Sequence, residues 1–155
     1  MQGEAAALLW DRLGHWAQED DNWNEAEQCF RAAYELAGGH YGYCLGTALN
    51  FLNRPEESLP ILLRQAEELQ SDDMSWFQVA VAYEKLGRVR ESISAYLRSI
   101  ELNQNSERAW FNMGGVHWNA GEFEEALHVW KKALERFPDH ELAALLRSRL
   151  PFFLG

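Results

Sequence analysis

The feature that most constrains this chain is a pattern of large and small residues that returns after 34 positions. The clearest copy runs from Trp110 to Pro138, and subtracting 34 places a second copy from Trp76 to Gln104. Large residues meet large ones and small residues meet small ones at almost every step. A period of this length predicts a stacked array, because each unit buries its apolar face only against its neighbours.

Two earlier copies follow the same pattern less closely. One runs from Gly42 to Gln65 at the same spacing, and the first, from Trp10 to Gly38, comes into register only after a shift of two residues. The junction around Gly38 and Gly39 is therefore two residues short. We expect the superhelical twist to change at this junction.

Each copy has the pattern of an antiparallel helix pair. Apolar residues recur at spacings of three and four, which defines one face of a helix, and this face switches across a short turn of Gly, Asn or Asp. Small residues such as Gly114, Ala126 and Ala133 let the two helices approach closely. The sequence predicts an all-α solenoid with helices near 8–19, 23–37, 40–52, 56–69, 73–86, 89–102, 107–120 and 123–136.

Composition excludes several function classes. A length of 155 residues suits one domain, and the formal net charge of −10 has the wrong sign for a nucleic-acid partner. The apolar runs are far shorter than the ~20 residues of a bilayer span, and the first four residues lack the basic start of a signal peptide. Cys29 and Cys44 form no CxxC motif, so we expect reduced thiols and a cytoplasmic protein. Because the apolar runs are short, we also expect that the chain does not insert in a membrane.

The last copy resembles the tetratricopeptide repeat family, whose pattern is W-x2-L-G-x2-Y followed by Gly, an aromatic residue, Ala, Phe, Ala and Pro. The matching residues are Trp110, Met113, Gly114, His117, Gly121, Phe123, Ala126, Trp130, Ala133 and Pro138. The resemblance implies a single domain over residues 1–155, folded as a right-handed superhelix of about four helix pairs. Its repeats would lie at about 7–38, 39–72, 73–106 and 107–140.

A further helix is predicted after Pro138. Leu142, Leu145, Leu146 and Leu150 form one apolar stripe on a segment with helical spacing. We therefore predict a C-terminal capping helix over residues 140–150, since the last unit of a solenoid needs a cover for its apolar face.

In tetratricopeptide repeat proteins the first helix of each pair lines a concave groove that binds peptides. The resemblance places the predicted peptide-binding groove at Tyr43, Thr47, Asn50, Phe77, Gln78, Val81, Glu84, Phe111, Asn112 and Trp118. Three aromatic rings, those of Tyr43, Phe77 and Phe111, occupy the same place in successive repeats. Aromatic anchors beside amides suit a peptide with apolar side chains along a hydrogen-bonded backbone. The alternative is that these rings pack against neighbouring first helices as part of the core.

The sequence predicts no catalytic, metal or cofactor site. The five histidines show neither H-x3-H nor HExxH spacing, and His117 stands where the family has a packing Tyr. The helical pattern places no histidine convincingly beside Cys29 or Cys44. A clamp for a free peptide carboxylate is not expected either, because Lys85 and Arg108 stand isolated among acidic and neutral groove residues.

Two function classes remain. The first is an interaction scaffold or adaptor that presents its groove to a protein or peptide partner and does no chemistry. The second is a dedicated cytoplasmic chaperone, because type III secretion chaperones of the translocator class are similar in being small, acidic and built of about three such repeats. The repeats of this chain lie closer to the general consensus than the repeats of those chaperones, which favours the scaffold.

The apolar tail 151–154 is a candidate contact surface. It can fold back onto Leu142 and Leu146, pair with a second copy to form a homo-oligomer, or enter a neighbour's groove. Residues 1–40 carry a formal charge of −6 and residues 128–155 carry +2, which favours contact between the two ends of different molecules. The chain end leaves open whether this is a segment of a longer protein.

Overall fold

The computed structural model describes residues 2–154, and these form ten α-helices in succession. Their bounds are α1 Gln2–Glu19, α2 Trp23–Ala37, α3 Tyr41–Phe51, α4 Pro55–Glu68, α5 Asp73–Lys85, α6 Val89–Leu102, α7 Glu107–Asn119, α8 Phe123–Arg136, α9 Glu141–Arg149 and α10 Pro151–Leu154. All eight predicted repeat helices are present, and every predicted end except the start of α1 lies within one residue of the observed end. The prediction of an all-α solenoid of helix pairs is confirmed.

Helix α1 begins six residues before its predicted start. Residues 5–7 are all alanine, the residue with the highest helix propensity. Ala7 is fully buried in a cluster with Ala33 of α2 and Tyr41 of α3, so this extra segment packs against both helices. The sequence pattern did not predict it, because a run of alanines has no apolar face distinct from a polar one.

The two helices of each pair are joined by turns of the same length, at residues 20–22, 52–54, 86–88 and 120–122. One residue in each turn has a left-handed backbone: Asp21 (φ 58°), Asn53 (φ 58°), Gly87 (φ 70°) and Gly121 (φ 80°). Gly, Asn and Asp tolerate this conformation best, which explains why only these three types occur there.

The short junction predicted between the first two repeats reduces the length of α3. This helix has 11 residues, whereas α5 and α7 each have 13. The two missing residues come from its beginning, because the turn that follows α3 keeps the regular spacing. Gly38 and Gly39 both have positive φ angles, 58° and 54°, and carry the chain from α2 into the shortened helix.

Small residues allow close contact within each pair, as predicted. A small residue on the first helix stands 16 positions before a large residue on the second: Gly14 and Phe30, Gly46 and Leu62, Ala80 and Tyr96, Gly114 and Trp130. A Cβ atom added at any of the three glycines would overlap its partner side chain. The helices therefore approach more closely than larger side chains would permit.

Helix α9 covers the last pair as the predicted cap. Leu142, Leu146 and Leu150 pack against the cluster that contains Phe111 and Trp130. The predicted stripe is wrong in one position, because Leu145 is 49% exposed and Ala143 takes the buried place. Helix α9 is therefore rotated slightly from the face that four leucines alone would define.

Pro151 ends α9 and begins α10, a single helical turn. Although α10 touches α8 and α9, Phe152 remains 96% exposed and Phe153 is also exposed. Within residues 2–154, no helix combines the length and the apolar character that crossing a bilayer requires.

Candidate functional site

The first helices α3, α5 and α7 form one wall of a cavity of about 940 Å³. Because the repeats stack in register, equivalent positions on these helices face the same side of the molecule. Eight of the ten predicted groove residues line the cavity: Tyr43, Thr47, Asn50, Phe77, Gln78, Val81, Glu84 and Asn112. Further lining comes from residues that the sequence did not predict, among them Lys85, Arg108, Val116 and Asn119.

A second cavity of about 320 Å³ adjoins the first near the beginnings of α5 and α7. The two cavities share Tyr43, Phe77, Gln78 and Arg108. Met74, which is exposed, forms part of the wall of the smaller cavity. These four shared residues are therefore the centre of the candidate site.

Phe77 belongs mostly to the core, although its ring reaches both cavities. Its side chain is 8% exposed, and its ring makes an edge-to-face contact with Tyr96 at 5.6 Å between centroids. The guanidinium of Arg108 lies 5.0 Å from the centre of the same ring, a cation–π distance. Arg108 is thus held at the meeting point of the cavities by an aromatic face.

Asn50 lines the cavity but is a structural residue. Its side chain is 2% exposed, and its Nδ2 donates to the backbone oxygen of Gln78 at 3.0 Å and to the Oε1 atom of Gln78 at 3.1 Å. The Ser58 hydroxyl donates to the Oδ1 atom of Asn50. These bonds join α3, α4 and α5, so the amide of Asn50 is already used within the fold.

A second network connects the groove to the helix behind it. Asn112 Nδ2 donates to the Tyr96 hydroxyl at 3.3 Å, and this hydroxyl donates to Glu84 Oε2 at 3.1 Å. Desolvation in the groove raises the pKa of Glu84, and the hydrogen bond from Tyr96 opposes that rise. Burial raises the pKa of Tyr43 as well.

Phe111 and Trp118 lie outside both cavities, which corrects the predicted groove. Phe111 is 2% exposed, and its ring stacks on His140 at 4.3 Å. His140 is the residue before α9, so the cap covers the third ring of the predicted aromatic row. Trp118 contacts Phe123 and Trp130 instead of facing the groove.

The structure also places a histidine beside a thiol, contrary to expectation. His15 Nε2 lies 3.8 Å from Cys44 Sγ, and the same nitrogen lies 3.6 Å from Asp11 Oδ2. Burial and the nearby Asp11 carboxylate raise the pKa of Cys44 to about 12. The sequence pattern missed this cluster because its members lie on α1 and α3, on either side of the shortened junction.

His117 takes the predicted core position. It is buried, and its Nδ1 lies 2.7 Å from Glu122 Oε2. The hydrogen bond with His117 and the charge of Arg90 lower the pKa of Glu122. This pair joins the end of α7 to the beginning of α8.

A stack of helix pairs with a lined concave side is the architecture of a repeat protein that binds other proteins. Residues 75–106 and residues 107–140 each match the family model of the tetratricopeptide repeat. Residues 75–140 are therefore tetratricopeptide repeats, and α1–α4 form two further helix pairs of the same architecture.

Solved structures with similar folds agree with this assignment. YrrB, a TPR protein with an unusual peptide-binding site, is 28% identical with a TM-score of 0.81, over 92% of this chain and 75% of that one. MamA from Desulfovibrio magneticus RS-1 is 17% identical with a TM-score of 0.78, over 86% and 78% of the two chains. The OM64 TPR domain of Arabidopsis is 16% identical with a TM-score of 0.70, over 74% and 96%. No protein of curated function matches the sequence.

Proposed function

We propose that this chain is an interaction scaffold that binds an extended peptide segment of a partner protein between α3, α5 and α7. The observation that carries the proposal is the pair of adjoining cavities that meet at Tyr43, Phe77, Gln78 and Arg108. Their volumes, about 940 and 320 Å³, fall within the range of pockets that bind ligands.

The two cavities suit different parts of a peptide. The smaller cavity has Tyr43, Met74 and Phe77 in its walls, so it suits one large apolar side chain. The larger one offers the exposed polar side chains of Gln18 and Asn119 to a peptide backbone. Between them, the guanidinium of Arg108 is positioned to bind a carbonyl or a carboxylate beside the anchoring side chain.

The likeness to YrrB supports the proposal, because that protein has a peptide-binding site on a similar array of repeats. Groove binding also explains a feature of the sequence that packing alone does not require. Met74 on α5 and Arg108 on α7 are both exposed, and both line the smaller cavity on the concave side.

The experiment is a selection of random 12-residue peptides on the immobilised protein, followed by titration of the best binders. Met74→Glu places a charge in the smaller cavity, and we expect it to weaken binding about 10-fold or more. Leu97→Glu is the matched control, since Leu97 is also exposed but lies on the second helix α6. Peptides that bind Met74→Glu as tightly as the unchanged protein, or that lose affinity equally for Leu97→Glu, would contradict the proposal.

The same selection separates a scaffold from a chaperone of a secreted protein. A scaffold binds a short motif at full strength, so truncating the flanks of a selected peptide changes its affinity little. A chaperone for an unfolded substrate gains affinity with each added segment of chain. A steady loss of affinity on shortening would favour the chaperone.

We further propose that the chain associates with copies of itself through its two ends. Phe152 at one end is 96% exposed, and Trp16 on α1 at the other is 63% exposed. The end that carries Trp16 is acidic, with a formal charge of −6 over residues 1–40, and residues 128–155 carry +2. Apolar surface on both ends and opposite charge favour contact between the tail of one copy and α1 of the next.

A further inference from the structure

Asp11, His15 and Cys44 bring three different metal-binding groups together at the N-terminal end of the row of first helices. A carboxylate oxygen, an imidazole nitrogen and a thiol sulfur all lie within 4.8 Å of one another. Asp11 and His15 are four residues apart on α1, so they share one face of that helix. Cys44 comes from α3, one residue after the groove residue Tyr43.

The distances from His15 to the other two donors are close to those of a tetrahedral metal centre. Zinc binds imidazole nitrogen and carboxylate oxygen at about 2.0–2.2 Å and thiolate sulfur at about 2.3 Å, which puts tetrahedral neighbours about 3.4–3.6 Å apart. His15 Nε2 lies 3.6 Å from Asp11 Oδ2 and 3.8 Å from Cys44 Sγ. The third pair, Asp11 and Cys44, lies within 4.8 Å, so small side-chain rotations bring the three atoms around a metal ion.

We propose that Asp11, His15 and Cys44 bind a zinc-like divalent ion with tetrahedral geometry. Nitrogen, sulfur and carboxylate oxygen together form a donor set that zinc accepts. His15 is half exposed, so the remaining coordination position is open to a water molecule or to a group of a bound partner.

The geometry argues against the other chemistry that these three residue types suggest. In a catalytic triad the acid binds one ring nitrogen of the histidine and the nucleophile meets the other. Here both Asp11 and Cys44 approach the same nitrogen, Nε2, so the three groups converge on one point instead of forming a relay. One nitrogen directed at a shared centre is the arrangement of a metal ligand.

The surrounding structure holds the donors in place. The His15 ring makes an edge-to-face contact with Phe30 at 5.1 Å, and all three side chains project from regular helices. Rigid supports of this kind favour metal binding because little side-chain freedom is lost. A bound ion would also connect α1 to α3 across the shortened junction, and would thereby stabilise the first two repeats.

Cobalt(II) titration of the reduced, metal-free full chain tests the site, because a cobalt–thiolate bond produces a charge-transfer absorption band. We expect a band that saturates at about one ion per chain. Cys44→Ser should abolish the band and Cys29→Ser, the matched thiol control, should preserve it. An unchanged band in Cys44→Ser, equal loss in both variants, or no band in the unchanged protein would overturn the proposal.

A second pair of variants keeps the test independent of the cysteines. Loss of an outer-shell group alone weakens metal binding about 10–100-fold, so His15→Gln should weaken zinc binding by at least that factor. His128→Gln replaces an exposed histidine on α8 and should leave zinc affinity unchanged. Equal zinc affinity for His15→Gln and the unchanged protein would exclude His15 as a ligand. Far-UV circular dichroism of each variant confirms that the helices remain folded.

Zinc should also raise the melting temperature of the unchanged chain, because an ion that binds only the folded state stabilises it. Cys44→Ser should show no such rise. A rise of the same size in both proteins would place the bound ion elsewhere on the molecule and contradict the proposal.

Discussion

A single missing methyl group allows the two helices of the last pair to pack closely. A Cβ atom at Gly114 would overlap the Trp130 indole, whereas a Cβ atom at the next residue, Gly115, would meet nothing within 4 Å. In the third repeat, Ala80 and Tyr96 occupy the equivalent positions. The pair in the third repeat therefore accommodates a Cβ atom on the first helix, whereas the pair in the fourth repeat does not.

We expect Gly114→Ala to destabilise the protein by about 1–3 kcal/mol, the usual cost of overpacking. Gly115→Ala should stabilise it by about 0.5–1 kcal/mol, because alanine favours the helix and the site is open. Adding Trp130→Tyr to Gly114→Ala copies the pair of the third repeat and should recover part of the loss. Urea unfolding measures all four proteins, and equal stabilities of the two alanine variants would refute the contact.

Glu122 makes stability depend on pH on the acid side. Its pKa in the folded protein is lowered from the ordinary value of 4.5 by the His117 hydrogen bond and by Arg90. Well above pH 4.5 the carboxylate is ionised in both states and its contribution is complete. As the pH falls below that value the unfolded chain takes up the proton first, so the free energy of unfolding declines until the folded group is protonated too.

Glu122→Gln should therefore flatten the loss of stability below about pH 4.5, because the amide does not titrate there. Urea unfolding of both proteins between neutral pH and pH 3 measures the difference in slope. Glu124→Gln, on the exposed side of α8, is the control. Curves of identical slope for Glu122→Gln and the unchanged protein would show that this carboxylate does not contribute.

At the scale of the elements, the first helices serve both the core and the groove. The sequence favoured rings that face a ligand, but Phe77 is 8% and Phe111 is 2% exposed. Trp110, the first large residue of the repeat pattern, is only partly buried. Most of the surface of these two rings is therefore packed against other helices, as the alternative interpretation of the sequence expected.

We expect Phe77→Ala and Phe111→Ala to destabilise the fold by about 3–5 kcal/mol, since each removes a buried ring. Trp110→Ala should cost no more than either of them, because part of its indole already meets solvent. Thermal melts of the three variants test this order. A melting temperature of Phe77→Ala close to that of the unchanged protein would restore the ligand-facing interpretation.

The period of 34 residues was enough to predict the repeat helices and the short turns of Gly, Asn or Asp between them. The period could not predict contacts between residues that do not occupy equivalent positions in successive repeats. Phe111 is covered because His140, the residue before the capping helix α9, stacks on its ring. His15 meets Cys44 because α3 is shortened, and the spacing of the repeats contains no information on how that shortening is packed.

At the scale of the whole molecule, the two ends present different surfaces. Trp16 lies on α1, the first helix of the array, and Phe152 lies on α10, the last. A contact between them joins unlike patches, so a dimer formed in this way still has one free tail and one free α1 patch. Such an association continues beyond a dimer, and the charge attraction that assists it weakens with salt.

We expect the mean mass of the full chain in sedimentation to rise with concentration at low salt and less so at high salt. A version ending at Leu150 lacks the tail, and Trp16→Glu carries a charge in the α1 patch; each alone should remain a monomer. Mixed together, they offer one intact patch of each kind and should stop at a dimer, because no further copy can add. Identical monomer masses for the full chain and the truncated version at both salt concentrations would remove the tail as a contact. A dimer that forms from the truncated version alone would indicate that like patches pair instead, since that version has only the α1 surface to offer.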